Sequence, residues 1–380
     1  MTMLDEDMLE RFRQRADQYD RENVFPTEDF EELRKAGYFA ALVPKELGGQ
    51  GFSLLEIVAL QKRLAAAAPA TALSINMHQI WVGVARALWE RGDRSLKFVL
   101  DDASRGELFA LAISEAGNDL VLFGSKTQAE PQADGSYLFS GTKIFTSLSP
   151  AWTRLAVFGL DSASEDSPKL VHAVLDRTAE GIEVLDDWDT LGMRATQSHT
   201  TVLKRAKATQ DRVHRRLDPG PSADPLILAI FANFEILLSS VYTGIAERAI
   251  ELAINSVKAR TSSKAGGALK SADPDLRWRI ADAAIALDGV HPQLREVARQ
   301  FDEKADLGDD WFRVLVGLKV RAINTAQFVV NQSMKVAGGG SYFSRNELSR
   351  LYRDVLAGSF QPSNDDSAHS TVAQNLLGPI

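Results

Sequence analysis

His78 and Glu235 are the two side chains that their apolar surroundings single out as candidates for acid–base chemistry. The sequence contains six histidines and no cysteine, which excludes thiolate nucleophiles, disulfides and cysteine-ligated metals. His78 lies in the apolar run INMHQIWVG on a predicted helix, where a lone histidine is usually a hydrogen-bonded core residue and less often a catalytic one. Glu235 also has apolar neighbours. Burial there would raise the pKa of its carboxyl group, as a general base requires, although a structural salt bridge is an equal alternative.

The candidates must be positioned by a chain whose pattern changes twice. Residues 1–106 have helical spacing of apolar residues, which predicts an N-terminal helical domain. Residues 107–220 contain short β-branched runs separated by turns, which predict a middle β-sandwich or barrel domain. Residues 221–380 contain long helical patterns joined by short loops, typical of a four-helix bundle. The fold class is therefore α+β and multidomain.

The individual elements follow from the same patterns. Strands are predicted at 108–113, 137–145, 155–160, 170–175 and 200–203, and a linker at 215–225. Long C-terminal helices are predicted at 226–258, 274–304, 309–337 and 346–356.

Composition narrows the partners and the location. The formal net charge is −8, which argues against nucleic-acid binding because that needs a basic face. The N-terminus is charged throughout and has no apolar core typical of a secretory signal. We find no apolar run near the roughly 18 residues that a membrane span needs, and we expect a cytoplasmic protein. The spacing of Asp365, Asp366 and His369 matches no metal site, so we assign none.

Five segments resemble the signatures of the acyl-CoA dehydrogenase superfamily, and they occur in the same order. They are LRKAGYFAALVPKELGGQGFSLLE (33–56), GSYLFSGTKIFTSLSPAW (135–152), DWDTLGMRATQSHTTVL (187–203), GIAERAIELA (244–253) and KVAGGGSYFSRNELSRLYRDV (335–355). One such motif would be weak, but five over a matching helix–strand–helix layout identify the chain as a member of this superfamily.

The resemblance implies a flavoprotein oxidoreductase that binds FAD, with FMN as an alternative. In typical members a carboxylate removes the α-proton of an acyl-CoA thioester while the flavin N5 accepts the β-hydride, which is α,β-dehydrogenation. The resemblance also implies a small-molecule substrate, an electron acceptor or a flavin reductase as partner, and a homotetramer assembled through the C-terminal bundle.

The same resemblance assigns residues around the flavin ring. Ser114 and the backbone at Ile113 would hydrogen-bond the ring, and Asn118 would belong to the loop that follows them. Phe145 would pack on the ring, and the hydroxyl of Ser147 would reach its polar edge.

A second group of residues would contact the flavin's phosphates or nucleotide. Arg260 would reach the pyrophosphate of a neighbouring subunit's cofactor, because a guanidinium binds two phosphate oxygens at once. The remaining members are Lys335, Gly338 and Gly339 at the glycine turn, and Asn364 and Asp366 after it.

The usual catalytic carboxylate is missing. Counted from Arg353 and Asp354, its position falls on Pro362, which cannot accept a proton. The alternative family position falls on Phe234, so that Glu235 is displaced by one residue, or about 100° of helix rotation. A flavin-dependent monooxygenase of the same superfamily needs no such base, and it has a histidine near the flavin in the stretch that contains His78, as many dehydrogenases also do. The sequence thus leaves three functions open: a dehydrogenase, a monooxygenase and a non-catalytic paralogue.

Overall fold

The computed structural model describes residues 3–163 and 167–378. Within these ranges the chain forms helices first, then one sheet, then helices again. The N-terminal helices are α1 (Glu6–Glu22), α2 (Thr27–Lys35), α3 (Leu54–Ala67), α4 (Pro69–Glu90) and α5 (Lys97–Ser104). The strands are β1 (Phe109–Ala112), β2 (Gln128–Pro131), β3 (Tyr137–Lys143), β4 (Arg154–Asp161), β5 (Lys169–Asp176), β6 (Ile182–Val184), β7 (Thr201–Ala208) and β8 (Val213–Leu217). The C-terminal helices are α6 (Pro225–Ala259), α7 (Pro274–Asp288), α8 (Val290–Asp302), α9 (Asp310–Ala337), α10 (Glu347–Val355) and α11 (Asp365–Leu377), and a two-stranded ribbon of β9 (Thr261–Ser262) and β10 (Ala268–Leu269) follows α6.

The middle region is one mixed sheet. Its strand order is β6-β7-β3-β2-β4-β5-β8, and β1 pairs with β4 in parallel. Nearly all residues of β4 and β5 are buried, because both faces of these strands are covered by other parts of the chain. The chain just beyond β1 lies beside the chain just beyond β3, where the predicted flavin residues lie.

Helices α6 and α9 form the centre of the C-terminal region, and α6 also packs on α3 and α4. The approach of α6 to α3 requires a residue without a side chain. A Cβ added to Gly244 would lie 2.2 Å from the carbonyl oxygen of Lys62, which is much shorter than a van der Waals contact and would be a steric clash. This glycine of the GIAERA motif thus joins the first and last domains.

The apolar composition of α6 corrects one sequence-based expectation. An 18-residue window of this helix has a mean hydropathy of 1.8 and is long enough to cross a membrane, but 83% of the window is buried inside the protein. A helix that is apolar on all sides is also what a large protein places at its centre. The apolar run is therefore the core helix of the bundle.

Three further boundaries differ from the prediction. The pattern at 274–304 is two helices, because Pro292 in the first turn of α8 has no N–H to continue the ladder through Gly289. The predicted linker at 215–225 begins as strand β8, which pairs with β5. Helix α11, with Asn364 as its N-cap, was not predicted as a separate element. The division at residues 106 and 220 falls between elements, and we retain it as a proposal.

Candidate active site

Two of the segments assigned to the flavin ring lie side by side. The backbone N–H of Ile144 donates to the carbonyl oxygen of Ser114 at 2.9 Å. This bond continues beyond the end of β1 and places Ile113 and Ser114 next to Phe145. These residues lie in two segments that are distant in sequence, and the pairing of the chain beyond β1 and β3 brings them together.

Phe145 is presented to solvent although it is a large apolar side chain. Its side chain is 56% exposed, and its φ of 57° lies in the left-handed region, which non-glycine residues rarely adopt. Its ring meets that of Trp188 edge to face, with centroids 6.0 Å apart. A strained backbone that exposes an aromatic ring provides an apolar face for a planar ligand.

Ser147 begins a chain of three buried hydroxyl groups. Its Oγ lies 2.8 Å from Ser198 Oγ, which lies 2.8 Å from Thr196 Oγ1. Thr196 Oγ1 in turn donates to the carbonyl oxygen of Met193 at 2.8 Å. Backbone bonds from Thr146 to His199 and from Leu148 to Thr196 hold the two segments together.

Glu115 anchors the loop after β1, and the sequence analysis gave it no role. Its carboxylate accepts hydrogen bonds from Lys143 Nζ at 2.7 Å and from Thr127 Oγ1 at 2.6 Å. Burial alone would raise the pKa of the Glu115 carboxyl, but Lys143 and the hydrogen bonds outweigh it and lower the pKa to about 2. Asn118 Nδ2 donates to Glu115 and to the carbonyl of Gly124, both at 2.9 Å, so its amide stabilises the loop.

The segment 187–199 is held against α10 and α1. A Cβ added to Gly192 would lie 2.2 Å from the carbonyl oxygen of Arg353. The next residue, Met193, donates its N–H to Asp354 Oδ1 at 2.6 Å. Arg353 Nη1 donates to Asp20 Oδ1 at 2.9 Å. Two of the segments that carry the family resemblance, 187–203 and 335–355, thus meet here, and α1 holds Arg353 through Asp20.

Glu235 lies against the segment where the usual base position falls. Its side chain is 1% exposed, and Oε1 accepts hydrogen bonds from the backbone N–H and the hydroxyl of Ser363, at 3.2 and 2.8 Å. Oε2 is buried without a partner. Burial raises the pKa of this carboxyl to about 7, against the attraction of Lys319. Lys319 Nζ donates to the carbonyl oxygens of Gly358, Gln361 and Ser363 at 2.6–3.1 Å, so both side chains hold this segment.

His78 is completely buried, and backbone groups occupy both ring nitrogens. Nε2 lies 2.8 Å from the carbonyl oxygen of Phe39, and Nδ1 accepts from the N–H of Phe109 at 3.2 Å. The carbonyl can only accept, so the proton is on Nε2. Burial lowers the pKa of His78 to about 4. This geometry favours a structural role under β1 over a catalytic one.

The residues assigned to the flavin's phosphates and nucleotide either form hydrogen bonds within the protein or are exposed to solvent. Arg260 donates to the carbonyl oxygens of Ser256, Ala337 and Val336 at 3.1, 2.7 and 3.1 Å, and so caps the end of α9 beside Gly338. Asn364 accepts from the N–H of Ser367 at 3.0 Å. The remaining members, Lys335, Gly339 and Asp366, are exposed. Across residues 3–163 and 167–378 no group of three or more histidine or acidic side chains could hold a metal ion.

Comparison with known proteins identifies the family. The sequence profile of the acyl-CoA dehydrogenase N-terminal domain matches residues 3–98, and that of the C-terminal domain matches residues 236–361. Together they cover more than half of the chain. The fold expected from the sequence is confirmed by solved structures of this family.

Several relatives align over almost the whole chain. The L-evernosamine nitrososynthase of a Micromonospora species is 30% identical over 98% of this chain and 88% of its own length. The Bacillus subtilis protein YdbM, named after acyl-CoA dehydrogenases, is 27% identical over 97% of this chain and 94% of its own. Dibenzothiophene monooxygenase of Rhodococcus erythropolis is 27% identical over 92% and 86%.

A solved structure shows the same similarity in three dimensions. KijD3 in complex with FMN and a dTDP-linked amino-keto sugar superimposes with a TM-score of 0.87 at 27% identity, covering 99% of this chain and 93% of that one. The profile matches, the relatives and the shared architecture lead to one conclusion: this chain belongs to the acyl-CoA dehydrogenase family.

Proposed function

We propose that this protein is a flavin-dependent monooxygenase, which uses reduced flavin and O₂ to oxidise a small molecule. The observation that carries the proposal is the environment of Glu235. The usual base position is occupied by Pro362. The nearby carboxylate of Glu235 is buried, and one of its oxygens accepts a hydrogen bond from the Ser363 hydroxyl. The nitrososynthase and dibenzothiophene monooxygenase relatives support the same class of reaction.

Dehydrogenation would need a carboxylate that can reach the substrate's α-proton. A general base must lie within hydrogen-bond reach of the proton that it removes. Glu235 lies on α6, and its buried carboxylate is covered by the segment around Ser363. Loss of a base lowers a proton-transfer rate by about 10²–10⁴-fold. Acyl-CoA dehydrogenation, which the name of YdbM favours, is therefore the second candidate function.

The residues around Phe145 and Ser147 fit a flavin. An exposed aromatic ring on a strained backbone lies beside a hydroxyl group and the end of a strand. When bound there, reduced flavin would supply the electrons that activate O₂. Phe145 would cover the ring, Ser147 would bond its polar edge, and the backbone at Ile113 and Ser114 would border it.

We propose FMN as the form bound. Arg260, which the family resemblance assigned to a pyrophosphate, uses its guanidinium on the carbonyls at the end of α9. KijD3, a structural relative at 27% identity, is described with FMN. Three of the five N–H donors of Arg260 are thus used within the protein, and the smaller cofactor, which has no pyrophosphate, suits this arrangement better.

We further propose a cytoplasmic homotetramer that works with a separate flavin reductase. Helix α7 supports assembly, because Trp278 and Ile285 are 76% and 73% exposed and lie seven residues apart, on one face. An apolar helix face of this kind is typical of a contact between subunits. The substrate is proposed to be a small molecule and not an acyl-CoA thioester.

The proposal is tested with purified protein and FMN under anaerobic conditions. Chemically reduced FMN should bind, and admission of O₂ should oxidise it with substrate-dependent transfer of oxygen to a candidate amino sugar or aromatic sulfide. A panel of straight-chain acyl-CoA thioesters should leave the absorption band of bound oxidised flavin unchanged. Rapid bleaching by any thioester, abolished in Glu235→Gln, would establish a dehydrogenase instead.

A further inference from the structure

The chain of hydroxyl groups at Ser147 has only one possible direction. Its three contacts, from Ser147 to Ser198 to Thr196 to the Met193 carbonyl, are each 2.8 Å long. At that separation each contact needs one proton between the two oxygens. A carbonyl cannot donate, so Thr196 uses its single proton on Met193.

The remaining protons are then fixed in turn. Thr196 has no further proton, so Ser198 must donate to Thr196. Ser198 has then used its own proton, so Ser147 must donate to Ser198. All three side chains are at most 7% exposed, which leaves little water to supply another partner. Ser147 therefore has only lone pairs left for a ligand.

We propose that Thr196 and Ser198 are positioning residues that make Ser147 a hydrogen-bond acceptor, so that the site discriminates in favour of reduced flavin. This inference rests on the proposed function. If the polar edge of a bound flavin meets Ser147 at its N5 atom, oxidised flavin would present an atom that can only accept, whereas reduced flavin would present an N–H. Ser147 can therefore bond the reduced form without any change in the chain.

Oxidised flavin would require the chain to reverse. Thr196 would have to donate to Ser198, Ser198 to Ser147, and Ser147 to the flavin. The Met193 carbonyl would then lose its hydrogen bond from Thr196. One neutral hydrogen bond is worth about a two- to tenfold change in an equilibrium constant. The chain thus adds a factor of that size to whatever preference the rest of the site has.

The matched variants follow from the same proton count. Thr196→Val keeps the side-chain shape but removes the group that fixes the direction, so Ser198 can donate to Ser147 and Ser147 can donate to the ligand. Thr196→Ser keeps the hydroxyl and should behave as wild type. Thr146→Val is the control, because the Thr146 hydroxyl is buried in the adjacent position without a partner and lies outside the chain.

The experiment measures the dissociation constants of oxidised and anaerobically reduced FMN for each protein. We expect Thr196→Val to strengthen the binding of oxidised FMN relative to reduced FMN by about two- to tenfold. The ratio of the two dissociation constants should stay unchanged in Thr196→Ser and Thr146→Val. Ser198→Ala provides a second route, because it frees the proton of Ser147 and should move the ratio in the same direction.

The outcomes separate this inference from the proposed function. A purely structural role for Thr196 would weaken both redox forms equally and leave the ratio unchanged, which would overturn the inference. A ratio that moves equally in Thr146→Val would overturn it as well. If wild-type protein binds neither form, the proposed function itself is wrong.

Discussion

At the scale of single residues, we expect Glu235 to make the stability of the protein depend on pH. Its pKa is raised from 4.5 to about 7 by burial, so between these values the folded state binds more protons than the unfolded state. The free energy of unfolding therefore falls as the pH rises through this window. We expect Glu235→Gln, which can still accept from Ser363, to gain stability relative to wild type by about 1–3 kcal/mol between pH 5 and pH 8.

Urea denaturation of both proteins at several pH values measures this difference. A difference that stays constant, or that shrinks toward pH 8, would show that Glu235 is ionised through an interaction with Lys319 or a ligand that offsets its burial. Glu251→Gln, at an exposed position on the same helix, is the control for a general effect of charge.

His78 is expected to contribute to stability more than to catalysis. His78→Ala removes a buried ring and leaves the Phe39 carbonyl and the Phe109 N–H without partners. We expect a loss of about 2–5 kcal/mol in the free energy of unfolding, and little change from His369→Ala, whose side chain is exposed. Normal stability of His78→Ala combined with lost oxygen-dependent turnover would instead assign the residue to catalysis.

At the scale of elements, the packing of segment 187–199 on α10 depends on Gly192. A side chain there would collide with the backbone of Arg353, which cannot move without disturbing the bond from Met193 to Asp354. We expect Gly192→Ala to weaken binding of either redox form of FMN by more than tenfold, because the hydroxyl chain is carried by this segment. The open position of Gly340 makes Gly340→Ala the matched control. Unchanged flavin affinity in Gly192→Ala would show that the flavin does not rest on this segment.

At the scale of the whole molecule, the exposed face of α7 predicts how subunits associate. Trp278→Glu places a charge where an apolar contact is proposed, and a buried unpaired charge is costly. We expect it to dissociate the proposed tetramer to smaller species, while Trp278→Phe leaves that assembly intact. Light scattering of flavin-loaded protein checks the mass. A wild-type protein that is already monomeric at working concentration would contradict the proposed assembly.

Local pattern was enough to predict the layout of helices and strands, because apolar spacing in each segment reflects the face that the segment buries. The family motifs added the flavin segments and the absence of a base at Pro362. Sequence signals were weaker where a strand forms only because another strand pairs with it. The sequence of Arg215 to Leu217 predicts a linker, but these residues belong to β8, which pairs with β5.

Only the tertiary structure decided which groups the candidate residues contact. Whether His78 and Arg260 are free depends on carbonyl groups of Phe39 and Ala337, far away in sequence, and no local pattern records which carbonyl will face a side chain. Glu115 was passed over because its partner, Lys143, lies on another strand. The direction of the hydroxyl chain from Ser147 likewise depends on a backbone carbonyl in a different segment. Hydrogen-bond partners are set by how segments pack, so the sequence determined the elements and the family, and packing determined which groups the candidate residues contact.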